Sequence, residues 1–400
     1  MTHNKPSLKQ LITVPATAFG QIEMAYSDCQ GYQLDSLSDE ERTRVPTLNP
    51  DHFFSADVYR KLALWWRAAD REPLYMSGPA GSGKTTTALQ FCARLHLPVV
   101  SVMARARMDR RELLGHWSVV DGNTHWVDGP AALAWRYGWV LLINEFSAAP
   151  ADLWVSCNDL LEGAVLDCEA TGERIVPHPQ TRVIITDNTR GHADIEDGFF
   201  GRQVQDRSVI DRFWHLRVEG LTEAQEEALL LKEMPAHLLN DFAPAALKTM
   251  THALAHAAAD SRTRANGNTL GFETKNIAIS HRALRRLMLI LLERAAEPVT
   301  DSTNDVREAI RMAYTEALDP VSQEAIETLL LLSVGAANMA LRDSRDSLAS
   351  TRLHTPSLRR AEAHRALRAN APFAEKSGMA LNGALDSLAA GIDSSEDVLL

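Results

Sequence analysis

Cysteine is scarce in this 400-residue chain. The four present, Cys29, Cys92, Cys157 and Cys168, form no Cys-x-x-Cys pair. That spacing excludes a disulfide framework or a zinc ribbon and predicts reduced thiols in a cytoplasmic protein. Long apolar runs are missing too. The longest core-like stretch, Leu287 to Leu292, falls far short of the ~18 residues that a membrane span takes. The opening Met1-Thr2-His3-Asn4-Lys5 leads into no apolar segment, which predicts no secretory leader. Nor is there an excess of basic residues. Lys and Arg number 41 against 52 Asp and Glu, a formal net charge of −11. This balance speaks against a dedicated nucleic-acid binder and leaves room only for a local basic patch. The rest is ordinary globular composition, 45% apolar and 23% charged. At ~100–200 residues per domain, the length suggests two or three domains.

Residues 1–50 carry two Val-Pro steps and the acidic cluster Asp39-Glu40-Glu41, which predict an extended arm with one short helix. From Ser55 to Ala69 the apolar residues follow a helical period. Beyond it, short apolar runs alternate with helical stretches: Leu74–Met76, Leu97–Met103, Trp139–Ile143, Val183–Thr186 and Phe213–Val218. Such runs read as buried parallel strands of an α/β sheet. Two hairpins interrupt the alternation, one around Asp121-Gly122-Asn123 and one around Thr171-Gly172. After Val218 the pattern is helical, opened by a Thr222/Gln225 capping box. The expected division is an arm (1–50), an α/β core (51–218), a helical lid (219–340) and a flexible Arg- and Ala-rich tail (341–400).

The most specific signal is Gly78-Pro79-Ala80-Gly81-Ser82-Gly83-Lys84-Thr85, which matches G-x-x-x-x-G-K-[ST]. The glycines let the backbone curl so that its N–H groups face phosphate oxygens. A helix opening at Lys84, with Thr86 in its first turn, adds its positive end. Lys84 is expected to reach the β- and γ-phosphates of ATP, and the Thr85 hydroxyl to ligate Mg²⁺. The run Val140-Leu141-Leu142-Ile143 ends in Asn144-Glu145. Glu145 is the candidate for polarising the attacking water. Asn144 occupies a position where Asp is usual. Its Oδ1 can still accept from a Mg²⁺-bound water, but it brings no negative charge. The sequence therefore allows two readings: hydrolysis with weaker metal support, or nucleotide binding with little hydrolysis. Asn188 ends the fourth run, where it could hold water or touch the γ-phosphate, or could simply be a turn Asn. Arg212, with Arg207 as competitor, could neutralise charge in a neighbouring subunit. An Asp211–Arg212 surface pair is the plain alternative. His252 and His256, four apart on a helix, lack the Glu of a metal-binding pattern and read as packing residues.

Taken together, these residues resemble the AAA+ ATPases of the MoxR branch and, within it, the small-subunit family of cobaltochelatase (CobS), over roughly residues 8–335. Met108 to Gly115 with the first hairpin resembles the helix-2 insert of that branch. Val176-Pro177-His178-Pro179 and the following strand resemble its pre-sensor hairpin and sensor-1 strand. Asp211-Arg212-Phe213 resembles the arginine-finger motif, and Ser280-His281-Arg282 the sensor-2 motif with His281 in place of Pro. The resemblance implies an AAA+ P-loop core with a five-stranded parallel sheet, two hairpin inserts and a helical lid. It also implies a homo-hexameric ring with ATP at subunit interfaces, roles for Arg212 and Arg282 in hydrolysis, and a von Willebrand A-domain or chelatase-subunit partner. The hairpin tryptophans Trp117 and Trp126 are candidates for a partner contact or for core. A nucleic-acid motor is suggested only by the arginines between 342 and 368.

Overall fold

The computed structural model describes residues 9–20, 22, 27–69, 71–189, 202–265, 278–295 and 302–353. Among them the chain divides into two compact units. One takes in Met1–Leu229 with Ala258–Ala283, the other Leu230–Ala257 with Leu284–Leu400.

The strands of the first unit follow chain order. They are β1 (Leu11–Val14), β2 (Cys29–Tyr32), β3 (Leu74–Ser77), β4 (Val99–Met103), β5 (Gly115–Val120), β6 (Asn123–Asp128), β7 (Val140–Asn144), β8 (Leu166–Cys168), β9 (Glu173–Ile175), β10 (Arg182–Asp187) and β11 (Trp214–Arg217). Five of them form one parallel sheet in the order β11-β3-β10-β7-β4. The central strands β3 and β7 are buried along their whole length. That is why they read as continuous apolar runs: helices cover both faces. Each face has its own core. One gathers Tyr75, Leu141, Ile143, Phe146 and Trp154, the other Met76, Phe91, Leu142, Ile184 and Leu216. The alternation of inward residues along each strand splits neighbours between the two layers.

Both hairpins form where expected, as β5–β6 and β8–β9. Trp117 pairs with Trp126 in register, and the rings meet edge-on at 5.4 Å. Trp117 is 53% exposed, whereas Trp126 packs partly against the core and donates from Nε1 to Asp128 at 3.0 Å. The core reading therefore fits Trp126 in part and does not fit Trp117.

Residues 1–50 differ from the expected extended arm. In the described part, β1 and β2 form an antiparallel pair that packs into the sheet's second core through Val14, Phe19 and Tyr32. Backbone groups of this hairpin are claimed from outside it. Tyr32 N donates to Leu95 O, Trp66 Nε1 to Gln30 O, and Tyr59 Oη to Ser27 O. The partners that satisfy this segment lie far away in sequence, so local composition does not show them. A buried ion pair anchors the same segment. Lys9 Nζ lies 2.7 Å from Glu41 Oε1, with side-chain exposures of 4% and 7%. Trp139 Nε1 donates to the same oxygen. Removing one member of such a pair strands the other's charge in the interior. Glu41→Ala is therefore expected to lower unfolding free energy by about 3 kcal/mol, read from denaturant midpoints. A loss below about 1 kcal/mol would show that Lys9 escapes to water.

The break expected at residue 218 also moves. Residues 219–229 and 258–283 belong to the nucleotide-core unit, because Glu226, fully buried, accepts from Arg262 at 2.7 Å and lies 3.0 Å from His281 Nδ1. Ser261 Oγ ties in Ile279 N at 2.9 Å. The Thr222/Gln225 capping box is present and opens the helix Glu223–Glu233.

The second unit is helical. The helix Pro320–Leu353 runs past the expected boundary at 340. Over Pro320–Leu348 it is long and apolar enough, by length and composition, to cross a membrane. Its Ile326, Leu330, Val334, Ala337 and Leu341, spaced three and four apart, form a buried stripe, as in a helix packed on others. Arg342 pairs with Asp305 at 2.5 Å, and Arg345 donates to the Ala295 carbonyl. These two arginines of the basic stretch are therefore engaged in packing. The remainder of the expected tail, beyond Leu353, lies outside the described residues.

Candidate functional site

The loop between β3 and the helix α1 (Lys84–Arg94) is shaped by its glycines. Gly83 caps the helix with φ +84°, a left-handed conformation that a side chain makes costly. Gly81 has φ +76°, and a Cβ there would come within 2.7 Å of the Ser280 side chain. The first intrahelical bond is Thr87 N to Gly83 O at 2.7 Å. The N–H groups of Lys84, Thr85 and Thr86 therefore have no partner within the helix. Ser82 Oγ is buried without a hydrogen-bond partner. Lys84 Nζ folds back on the loop, donating to the Gly78 and Pro79 carbonyls at 2.8 and 2.7 Å. Burial pulls its ammonium down to about 8, while the charges of Glu145 and Asp187 pull the other way. A buried cation, an orphaned hydroxyl and free helical N–H groups make a cradle suited to phosphate. Thr86 is exposed.

Beside the cradle, three strands end together. In register, Thr186 of β10 lies against Asn144 of β7 and Met76 of β3. Asn144 Oδ1 accepts from Thr85 Oγ1 and Thr186 Oγ1, each at 2.9 Å. Its amide Nδ2 donates to Ser101 Oγ at 2.9 Å. Ser101 thus fixes the amide so that its oxygen faces Thr85. Hydroxyl and amide oxygens are hard donors of the kind Mg²⁺ takes. Asn144 supplies the oxygen without the charge.

Glu145 follows directly, with φ +59° and ψ +43°. A non-glycine residue in that region is strained by about 1 kcal/mol or more, and such strain concentrates at functional positions. Asn188 Nδ2 donates to Glu145 Oε2 at 3.1 Å, so these two expected site residues meet. Two further residues carried no sequence signal. Arg202 donates to the Glu145 carbonyl at 3.2 Å and forms an ion pair with its carboxylate. Asp187, fully buried, accepts from Tyr75 Oη, Ser147 Oγ, Thr189 Oγ1 and Asn188 N at 2.6–3.0 Å. Four donors on one carboxylate lock the end of β10 and hold Asn188 where it meets Glu145.

Comparison with known proteins adds relatives. The model of the AAA domain (dynein-related subfamily) matches residues 73–213. The chain's relatives include the aerobic cobaltochelatase subunit CobS of Sinorhizobium sp, 30% identical over 174 residues, 42% of this chain and 52% of that protein. Protein NorQ of Paracoccus denitrificans (strain Pd 1222) is 30% identical over 122 residues, 30% of this chain and 45% of that protein. The chain spans about half the length of these curated relatives. A solved structure of NtrX from Brucella abortus in complex with ATP aligns over 70% of this chain and 60% of its own, with TM-score 0.40 and 15% identity.

The remaining expected site residues are three arginines. Arg212 pairs with Glu162 at 2.9 Å and with the Ser208 carbonyl, not with Asp211. Arg207 is exposed at the start of a short helix. Arg282 is exposed in the first turn of the helix His281–Arg294, two residues beyond the Ser280 that abuts Gly81. A shallow recess, partly open to solvent, adjoins the loop. Pro79, Ala80 and Gly81 line it from one side, Leu221, Ile279 and His281 from another.

Proposed function

We propose that this AAA+ protein is an ATP-hydrolysing ring motor of the MoxR/CobS type, which remodels a partner protein or drives metal insertion in a chelatase-like complex. The observation that carries the reading is the convergence of Thr85 with Asn144, and of Glu145 with Asn188, at the carboxyl ends of neighbouring strands. Ligands of open parallel sheets bind there. The cradle of residues 78–85 would hold the phosphates, and Thr85 with Asn144 would hold Mg²⁺, Asn144 through water. Bound Mg²⁺ would offset charge on the β- and γ-phosphates. Glu145 would accept the proton of the attacking water, and Asn188 would keep the Glu145 carboxylate in place. Arg212, half-buried against Glu162, and the exposed Arg282 would complete the site in a homo-hexamer. A von Willebrand A-domain or chelatase-subunit partner and a cytoplasmic location belong to the same reading; nucleic acid does not. Steady-state phosphate release tests it. Turnover should be measurable in wild type and should rise when a six-fold ring forms in electron microscopy with a slowly hydrolysed ATP analogue. Absence of turnover from the assembled ring would overturn it.

A second reading follows from Asn144: a scaffold that assembles on ATP and scarcely hydrolyses it. The missing charge weakens the hold on Mg²⁺. Asn144→Asp is expected to lower the Mg²⁺ concentration for half-maximal turnover about tenfold, because an ionised acceptor is worth roughly 1.5 kcal/mol more than a neutral one. The motor reading predicts measurable turnover before the change as well as after it. Turnover that appears only in the Asp variant would favour the scaffold.

A further inference from the structure

We propose that Arg202 is a latch on Glu145 that the γ-phosphate of ATP releases. In this chain Arg202 holds both the carboxylate and the backbone carbonyl of Glu145, and in the nucleotide-bound site its guanidinium moves to the γ-phosphate. The proposal rests on the nucleotide-site reading above.

Three observations support it. First, the grip is two-sided. One guanidinium nitrogen reaches the Glu145 carbonyl at 3.2 Å, and the other pairs with Oε2, the oxygen that also accepts from Asn188. A carboxylate oxygen already taking two donors, one of them cationic, is a poor acceptor for a water proton. With Arg202 in place, Glu145 is bound but not poised.

Second, the grip can be exchanged but not simply dropped. The Arg202 side chain is only 13% exposed. A guanidinium that enclosed needs an anion, so leaving one requires another. The γ-phosphate of ATP offers a pair of oxygens that the planar Arg fork can grip in bidentate fashion. The diphosphate lacks that group.

Third, Arg202 belongs to the phosphate site electrostatically. Its charge is near enough to Lys84 to help push that ammonium down, and Glu145 acts on the same group in the opposite sense. Two cations and two carboxylates, Glu145 and Asp187, share the region where the γ-phosphate would arrive. The phosphate adds the acceptor that lets both cations be satisfied while Glu145 is freed. Arg202 is thus a positioning residue for Glu145, and it makes hydrolytic readiness depend on which nucleotide is bound.

The test is a double-mutant cycle on binding, with ATPγS and ADP as probes and the full chain as protein. In wild type, ATPγS should bind more tightly than ADP. Arg202→Gln should weaken ATPγS about tenfold and ADP less than about twofold. Glu145→Gln removes the competing carboxylate and should tighten ATPγS about tenfold. In the double variant that gain should vanish. Arg202→Lys, which keeps the charge but not the fork, should restore part of the preference for ATPγS. A merely structural Arg202 would weaken both nucleotides alike and lower the melting temperature. That outcome, or an unchanged gain from Glu145→Gln in the double variant, would overturn the latch. Failure of wild type to bind either nucleotide, or binding that Lys84→Ala leaves unchanged, would overturn the underlying site reading and the latch with it.

Discussion

Replacing Glu145 by Gln is expected to lower steady-state ATP turnover roughly 10²- to 10³-fold, at the scale a positioned general base contributes. Nucleotide binding should persist. The substitution keeps the shape and the carbonyl oxygen that can accept from Asn188 Nδ2. It removes the ability to take a proton and the charge that pairs with Arg202. The backbone strain at position 145 is unchanged, since Gln suffers the same left-handed conformation. The unpaired Arg202 should lower the melting temperature, so a cooperative transition well above the assay temperature is the control against simple unfolding. Phosphate release under saturating ATP is the measurement. Turnover within twofold of wild type would remove Glu145 from the proposed role and leave Asp187 as the remaining acidic group near the cradle. Asp187 is a poor substitute on geometry, because four donors already occupy its two oxygens.

The sheet and the phosphate loop were legible in the sequence for one shared reason. Strands covered on both faces need unbroken apolar residues, and Leu74–Met76, Trp139–Ile143 and Val183–Thr186 show them between clear turn signals. The loop needs glycine at fixed offsets from Lys84, and a left-handed Gly83 explains one of them. Asn144 and Thr85 were likewise readable, because strand end and helix start fix where they meet.

What stayed hidden was set by contacts between distant segments. Arg202 stands among Gly201, Gln203 and Val204, with nothing to show that it reaches Glu145. Glu226 lies in the helical run Glu223-Ala224-Gln225-Glu226-Glu227 and reads as a solvated acid. Only the fold brings Arg262 and His281 against it. The β1–β2 hairpin was missed because four-residue strands carry little pattern, and Tyr59, Trp66 and Leu95 supply its partners. The plain alternative for Arg212, a pair with its neighbour Asp211, is not what forms: Arg212 pairs with Glu162. Adjacent residues in sequence need not face each other, and the short helix before Arg212 turns it toward Glu162.

Lys84→Ala is expected to weaken nucleotide binding about 100-fold, since two charge-assisted bonds to phosphate are lost at roughly 1.5 kcal/mol each. The wild-type protein adds a pH signature that truncation alone does not give. Burial sets Lys84 near 8 in the free protein against an ordinary 10.5. Phosphate oxygens favour the charged form, so binding raises that value again. Between the two, binding takes up a proton. Affinity for ADP should be flat below about pH 7.5 and then fall, approaching tenfold per pH unit above about pH 8. Stability of the free protein should move the other way. Between about 8 and 10.5 the unfolded chain holds more protons at Lys84 than the folded one. The cost of burying the charge is therefore fully present below 8 and is relieved as pH rises through that window. Falling affinity beside rising stability over one range identifies a buried, phosphate-binding ammonium. Equilibrium binding and chemical denaturation, each run from pH 7 to 9.5, measure the two slopes. Parallel slopes, or affinity indifferent to pH, would place the Lys84 ammonium in water rather than on the phosphates.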